Sequence, residues 1–252
     1  MSVDVKGVAK DNAKLILSLI ALVAVVSMMG IASVMDKGFF DFWNADHLRQ
    51  IGDDGGPSRP VISDQPVDRT TSDAIPVSNG KNNYYSTAPD YQLQEGLDYY
   101  ADIKTNFGTI TIDLYQDMSP KNVNNFVFLA RDGFYRNTSF HRVIKGYIVQ
   151  GGDPLGTGYG GPGYYIDDEI SSGFRFEPYM VAMANSGSDT NGSQFFIVSK
   201  LAKTSSLDGL YTPIGEVTSG TNVIAEIEGI DVDGRYMPYE AVIIQDIIVG
   251  SR

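Results

Sequence analysis

Ala101-Asp102-Ile103-Lys104-Thr105 and Gly108-Thr109-Ile110-Thr111-Ile112-Asp113-Leu114-Tyr115 alternate apolar and polar side chains almost residue by residue. Successive side chains of an extended strand point to opposite faces, so a period of two predicts half-buried strands, and the break at Asn106-Phe107-Gly108 joins them as a hairpin. Helical signals are few. Ser119 as N-cap and Pro120 at the first helical position open a segment with Val123, Phe126, Val127 and Ala130 on one face, and Gly133 closes it. A second segment, residues 221–228, places Val223, Ile224 and Ile227 together, and residues 241–249 supply a last strand. Short strands and Gly-rich loops fill the interval. Many short strands with two covering helices predict a mainly β domain, a closed β-barrel rather than a βαβ fold, over residues 97–252.

The N-terminal part has a different character. Residues 15–35 form a run of 21 residues without a charge. At about 1.5 Å rise per residue a helix of that length crosses a hydrocarbon core of roughly 30 Å. The run exceeds the apolar core of a signal peptide, and no clear Ala-x-Ala site follows, so an uncleaved transmembrane helix is expected. Lys6, Lys10 and Lys14 precede it, which places residues 1–14 in the cytoplasm and the rest of the chain outside the cytoplasmic membrane. The bilayer is thus an expected partner through residues 15–35. Residues 36–48 carry Phe39, Phe40, Phe42 and Trp43, rings suited to the headgroup level or to docking on another membrane protein. Residues 49–96 turn to Gly, Pro, Ser, Asp and Asn without a hydrophobic period, the composition of a flexible linker that a partner could order.

Charge and composition remove several functions. A net charge of -12 argues against nucleic acid as a partner, because binding phosphates needs clustered Lys and Arg. The absence of cysteine excludes disulfides, thiolate catalysis and Cys-based zinc sites. His47 and His141 are the two histidines, too few to suggest a metal site, and no cofactor is expected.

The chemistry concentrates in Phe140-His141-Arg142-Val143-Ile144-Lys145-Gly146-Tyr147-Ile148-Val149-Gln150-Gly151-Gly152-Asp153, followed by Met183-Ala184-Asn185-Ser186-Gly187 and Asn191-Gly192-Ser193-Gln194-Phe195-Phe196. An arginine, a glutamine, an asparagine and several apolar rings appear there without a nucleophile or phosphate loop. Such a set suits binding a peptide and easing a rotation in it. In these motifs, in this order, and in Leu207-Asp208-Gly209 and Ile214-Gly215-Glu216-Val217, the sequence resembles the cyclophilin family of peptidyl-prolyl cis/trans isomerases, especially its compact bacterial members, over roughly residues 98–249.

The resemblance implies an eight-stranded closed antiparallel barrel with a peptide groove on its outer surface. It implies that Arg142 stabilises the twisted amide, that Gln150 supports the substrate carbonyl or holds Arg142, and that Asn185 lends its backbone to the peptide. Tyr147, Ile148, Phe196 and Leu207 would form the proline pocket and Tyr211 would close it, with His141, Ala184, Ser186 and Gln194 completing the substrate-binding set. A general-base role for His141 is rejected, since the reaction moves no proton to a side chain. Lys145, Tyr147 and Ile148 stand where the family usually has proline, phenylalanine and methionine. Ser206 replaces the tryptophan of members that bind cyclosporin tightly, so weak cyclosporin binding is expected. The expected substrates are proline-containing segments of exported proteins. The alternative is a cyclophilin-like binding module that serves as an accessory subunit of a membrane protein complex.

Overall fold

The computed structural model describes residues 76–252. The expected membrane span at 15–35, the aromatic segment 36–48 and the first part of the linker lie outside these residues. Among the described residues, no helix is long and apolar enough to cross a membrane.

Nine strands form one sheet: β1 (Tyr99–Thr105), β2 (Gly108–Leu114), β3 (Thr138–Ser139), β4 (Arg142–Ile144), β5 (Ile148–Gly151), β6 (Met180–Met183), β7 (Phe195–Val198), β8 (Pro213–Ser219) and β9 (Ile243–Ser251). Their order is β3-β9-β1-β2-β8-β6-β7-β5-β4, and every neighbouring pair is antiparallel. The first hairpin has the expected register, Thr105 facing Gly108 and Ile103 facing Ile110. The two end strands of the order, β3 and β4, are separated in the chain by Phe140 and His141 alone. A sheet whose outermost strands are two residues apart must curl until its ends approach.

The expectation of a closed eight-stranded barrel is corrected to this curled sheet of nine. The segment 138–144 pairs with β9 through its first half and with β5 through its second, and the switch of partner at Phe140-His141 divides one strand into two.

Among the described residues two α-helices cover the sheet. Helix α1 (Pro120–Arg131) buries Val123, Phe126, Val127, Leu129 and Ala130, and α2 (Thr221–Ile227) buries Val223, Ile224 and Ile227. At the start of α1 the Ser119 side chain makes no capping bond to the helix. The carboxylate of Glu169 caps instead, accepting from the backbone N–H groups of Lys121 (3.1 Å) and Asn122 (2.9 Å). A negative charge there also complements the positive end of the helix dipole. At the other end Gly133 N–H donates to Ala130 and Phe134 N–H to Leu129, the paired bonds of a Schellman stop.

Alternation sorts the strand residues into two apolar clusters. Val143, Val149, Val181, Met183, Phe195 and Ile197 point to the main core with α1 and α2. Their neighbours Ile148, Ala182, Phe196 and Val198 point the other way and, with Phe176 and Leu207, form a second cluster. A sheet that buries both faces of β5, β6 and β7 places something apolar on its outside, and that outer cluster is where the sequence motifs converge.

The second part of the expected linker is not a free tether. Residues 76–96 form no helix or strand, yet Leu93 enters the main core and backbone bonds run from Asn79, Asn83 and Tyr85 to Pro154, Gly161 and Pro162. Composition could not show this, because the segment is held mostly through polar and backbone groups.

Candidate functional site

Register assembles the site. Arg142 on β4 faces Gln150 on β5, Gln150 faces Phe196 on β7, and Phe196 faces Ala182 on β6. Four residues distant in sequence therefore stand in one row across the outer face. One step along the strands, Ile144 faces Ile148 and Ile148 faces Val198.

A chain of hydrogen bonds runs along the polar end of this row. Arg142 Nη1 donates to Gln150 Oε1 (3.3 Å), Gln150 Nε2 donates to Gln194 Oε1 (3.0 Å), and Gln194 Nε2 donates to the carbonyls of Gly158 and Gly160 (both 2.9 Å). The direction is dictated by chemistry. A guanidinium can only donate, so Gln150 must turn its oxygen to Arg142 and its nitrogen to Gln194, which must then give its own nitrogen to the two carbonyls. The loop that supplies those carbonyls is folded around Asp153, fully buried, whose carboxylate accepts from the N–H groups of Leu155, Thr157 and Gly158.

Burial lowers the pKa of the Arg142 guanidinium, and the surrounding Tyr211, Tyr147 and Tyr236 act the other way. It stays charged, since an arginine titrates far above neutrality. Its guanidinium carbon stands 5.9 Å from the centre of the Tyr236 ring, within reach of a cation–π contact.

Beside the arginine lies the apolar part. Phe196 and Ile148 are buried, Leu207 is 2% exposed, and Tyr147, Ala184 and Tyr211 pack around them half-buried. The Phe196 and Tyr211 rings meet edge to face at 5.1 Å, and Phe176 backs Phe196 at 6.3 Å. The Tyr147 hydroxyl reaches Ser206 Oγ at 3.2 Å, which gives the polar atom a partner at the pocket rim. Burial raises the pKa of the Tyr211 hydroxyl, the Tyr147 charge adds to the rise, and Arg142 opposes it.

The remaining expected residues fall differently. Asn185 is half-buried and uses its side chain to tie two loops, donating to the Leu210 carbonyl (3.0 Å) and accepting from Gly187 N–H. Ser186 is exposed, its N–H donating to Thr190 Oγ1 (2.8 Å). His141 does not join the row. The residue is buried beside a small cavity that it lines together with Pro76, Val77, Gly156, Met237 and Pro238. Burial there pushes the imidazole below its ordinary pKa of 6.5, with Asp153 pulling the other way.

Sequence reasoning missed Tyr236, Phe176 and the Gly158 and Gly160 carbonyls. Asp153 closes the Gln-Gly-Gly-Asp motif and was there to be read as a loop organiser, whereas Tyr236 comes from a segment without periodicity. Among the described residues no group of three or more His, Asp or Glu side chains comes together that could hold a metal ion.

The family model of the cyclophilin type peptidyl-prolyl cis-trans isomerases matches residues 100–249. Peptidyl-prolyl cis-trans isomerase B of Streptomyces anulatus is 42% identical over 172 residues, covering 61% of this chain and 97% of that protein. Peptidyl-prolyl cis-trans isomerase-like 1 of Homo sapiens is 41% identical over 144 residues, 56% of this chain and 86% of the relative. Against isomerase-like 2 of Rhizopus delemar the identity is 43% over 152 residues, 59% of this chain, but the match spans only 28% of that longer protein. Among solved structures, a cyclophilin type isomerase of Cryptosporidium parvum superposes with a TM-score of 0.58 at 37% identity, over 62% of this chain and 99% of that one. The same protein in the presence of the dipeptide Ala-Pro gives a TM-score of 0.57. The chain belongs to the cyclophilin type of peptidyl-prolyl cis-trans isomerases, a family of enzymes.

Proposed function

We propose that this cyclophilin accelerates rotation about X-Pro bonds in exported proteins and that Arg142 is its catalytic residue. The observation that carries the reading is the row of Arg142, Gln150 and Phe196, a fixed guanidinium beside an apolar pocket.

Unaided rotation crosses a barrier of about 18–20 kcal/mol and takes tens to hundreds of seconds. At the top of that barrier the amide is twisted, its nitrogen has lost resonance and become basic, and its carbonyl is shorter of charge. The proline ring sits on Phe196 between Ile148, Leu207 and Tyr211, with Tyr147 at the rim. The Arg142 guanidinium then donates to the pyramidal nitrogen and the neighbouring carbonyl, a bond stronger in the twisted state than in either planar one. Gln150 holds the guanidinium in register. Asn185, with its side chain spent on Leu210 and Gly187, offers its backbone to the peptide, and Ala184, Ser186 and Gln194 border the bound chain. His141, buried away from the row of Arg142, Gln150 and Phe196, takes no part in the rotation.

The presence of Ala-Pro with the Cryptosporidium cyclophilin supports a prolyl peptide as the ligand class. Residues 15–35 anchor the domain outside the cytoplasmic membrane, a reading supported by the charge-free run and the lysines before it. The rival is a binding module recruited as an accessory subunit of a membrane complex through residues 15–35, the aromatic segment 36–48 and the linker, and co-purification in a fixed ratio with one membrane assembly would favour it.

Kinetics with a prolyl tetrapeptide test the division of labour. Arg142→Ala should lower kcat by roughly 100-fold to 1,000-fold with little change in KM. Phe196→Ala should raise KM. An Arg142→Ala variant that matches the parent in kcat would contradict the assignment. Cyclosporin should inhibit only weakly, and submicromolar inhibition would contradict that expectation.

A further inference from the structure

Residues 76–85 lie along the Gly-rich loop 154–163 and are bonded to it at intervals. Asn79 N–H and Ser78 Oγ donate to the Pro154 carbonyl (2.9 and 3.0 Å), Asn83 N–H to Gly161 (3.0 Å) and Tyr85 N–H to Pro162 (2.9 Å), while Asn82 Oδ1 accepts from Gly161 N–H (3.0 Å). The loop is shaped for this neighbour. A Cβ on Gly156 would stand 2.4 Å from the Val77 carbonyl oxygen, and one on Gly163 would stand 2.1 Å from that of Tyr85. Both glycines have positive φ, +68° and +111°, so a side chain there would be strained even with the segment removed.

The far side of the segment is fastened to the end of α1. Asn79 Nδ2 donates to the carbonyls of Phe134 (2.7 Å) and Arg136 (3.0 Å), and Lys81 Nζ donates to that of Gly133 (2.9 Å). The Tyr85 ring stands between Phe128, Phe134 and Tyr164 at 5.2–6.1 Å. The segment is thus held by polar bonds on both sides, one set to the loop 154–163 and one to residues 132–136, so that it ties the loop to the end of α1. That loop contains Gly158 and Gly160, whose carbonyls orient Gln194, and Asn82 bonds the residue next to Gly160.

We propose that residues 76–85 are a positioning strap for the isomerase site. The strap fixes the loop 154–163, the loop fixes the amide of Gln194, and Gln194 acts through Gln150 on the guanidinium of Arg142. None of its residues touches substrate. The inference rests on the reading of the groove as an isomerase site and adds to it the part of the chain that holds the arginine.

The test uses the full-length chain in mild detergent, with an Asn79→Ala/Asn82→Ala double variant, Asn82→Ala alone and Asn82→Asp. Two readouts are taken: kcat and KM on a prolyl tetrapeptide, and the side-chain amide NMR signals of Gln150 and Gln194. The double variant should lose about threefold to tenfold in kcat with KM nearly unchanged and both amide signals shifted. Asn82→Ala should give a smaller loss in the same direction, and Asn82→Asp, which keeps the acceptor for Gly161 N–H, should restore the parent rate. An active parent whose alanine variants keep both kcat and the glutamine signals would overturn the strap alone. An inactive parent would overturn the isomerase reading, and the strap would then stand or fall on the shift of the glutamine signals. Should the double variant fail to fold, Asn82→Ala and Asn82→Asp decide by the same readouts.

Discussion

Arg142 is useful because it is both charged and immobile, and the immobility comes from a neighbour that can only accept on the side it presents. Lysine at 142 would keep the charge but lose the planar fork, so Arg142→Lys should still cost at least tenfold in kcat. Rate should not depend on pH between about 7 and 9, since burial lifts the Tyr211 hydroxyl further from that range and the arginine stays protonated. A pH profile of kcat/KM checks this, and a step within the range would point to a titrating group in the groove. Stability behaves differently because of His141. Its folded pKa lies below 6.5, so in acid the unfolded chain binds a proton that the folded one resists. Stability is therefore fully present above about pH 6.5 and falls as pH drops toward the folded value. Denaturant midpoints of the parent and His141→Asn between about pH 7.5 and 5.5 should show a smaller fall in the variant.

Strand register brings Arg142, Gln150, Phe196 and Ala182 into one row, and much of this was legible beforehand. Period two in β1 and β2 announced the sheet, and the motifs singled out Arg142, Gln150 and Phe196, while their register and the place of Ala182 come from the structure. The turn at Phe140-His141 was not legible, because the switch from β9 to β5 is a choice of partner and leaves the local pattern unchanged. The cap of α1 was misread for a related reason. Ser119 is the expected residue type, yet the bonds come from Glu169, far along the chain, where no local spacing rule reaches. Glu169→Ala should therefore destabilise the domain by about 1–2 kcal/mol while Ser119→Ala costs less at the helix end. Urea unfolding of both variants gives the comparison, and equal losses would return the cap to Ser119.

The whole molecule couples a short-stranded enzyme domain to a long N-terminal region of unlike composition. The sequence located the domain but placed its packed edge too late, at residue 97. Polar residues fastened through backbone groups look like linker in composition, and the apolar weight comes from Leu93, the Tyr85 ring and Val77 beside His141. In our reading residues 15–35 hold this domain at a membrane surface, so the full chain should resist alkaline extraction from membranes and a variant lacking residues 1–35 should be released. The central claim, that the folded groove catalyses rotation through Arg142, is tested most directly by NMR exchange. The cis and trans signals of a proline peptide are followed with the full-length chain and with Arg142→Ala. The account predicts rapid exchange with the parent and near-background exchange with the variant. Background exchange with a folded parent, or equal acceleration by both proteins, would contradict it.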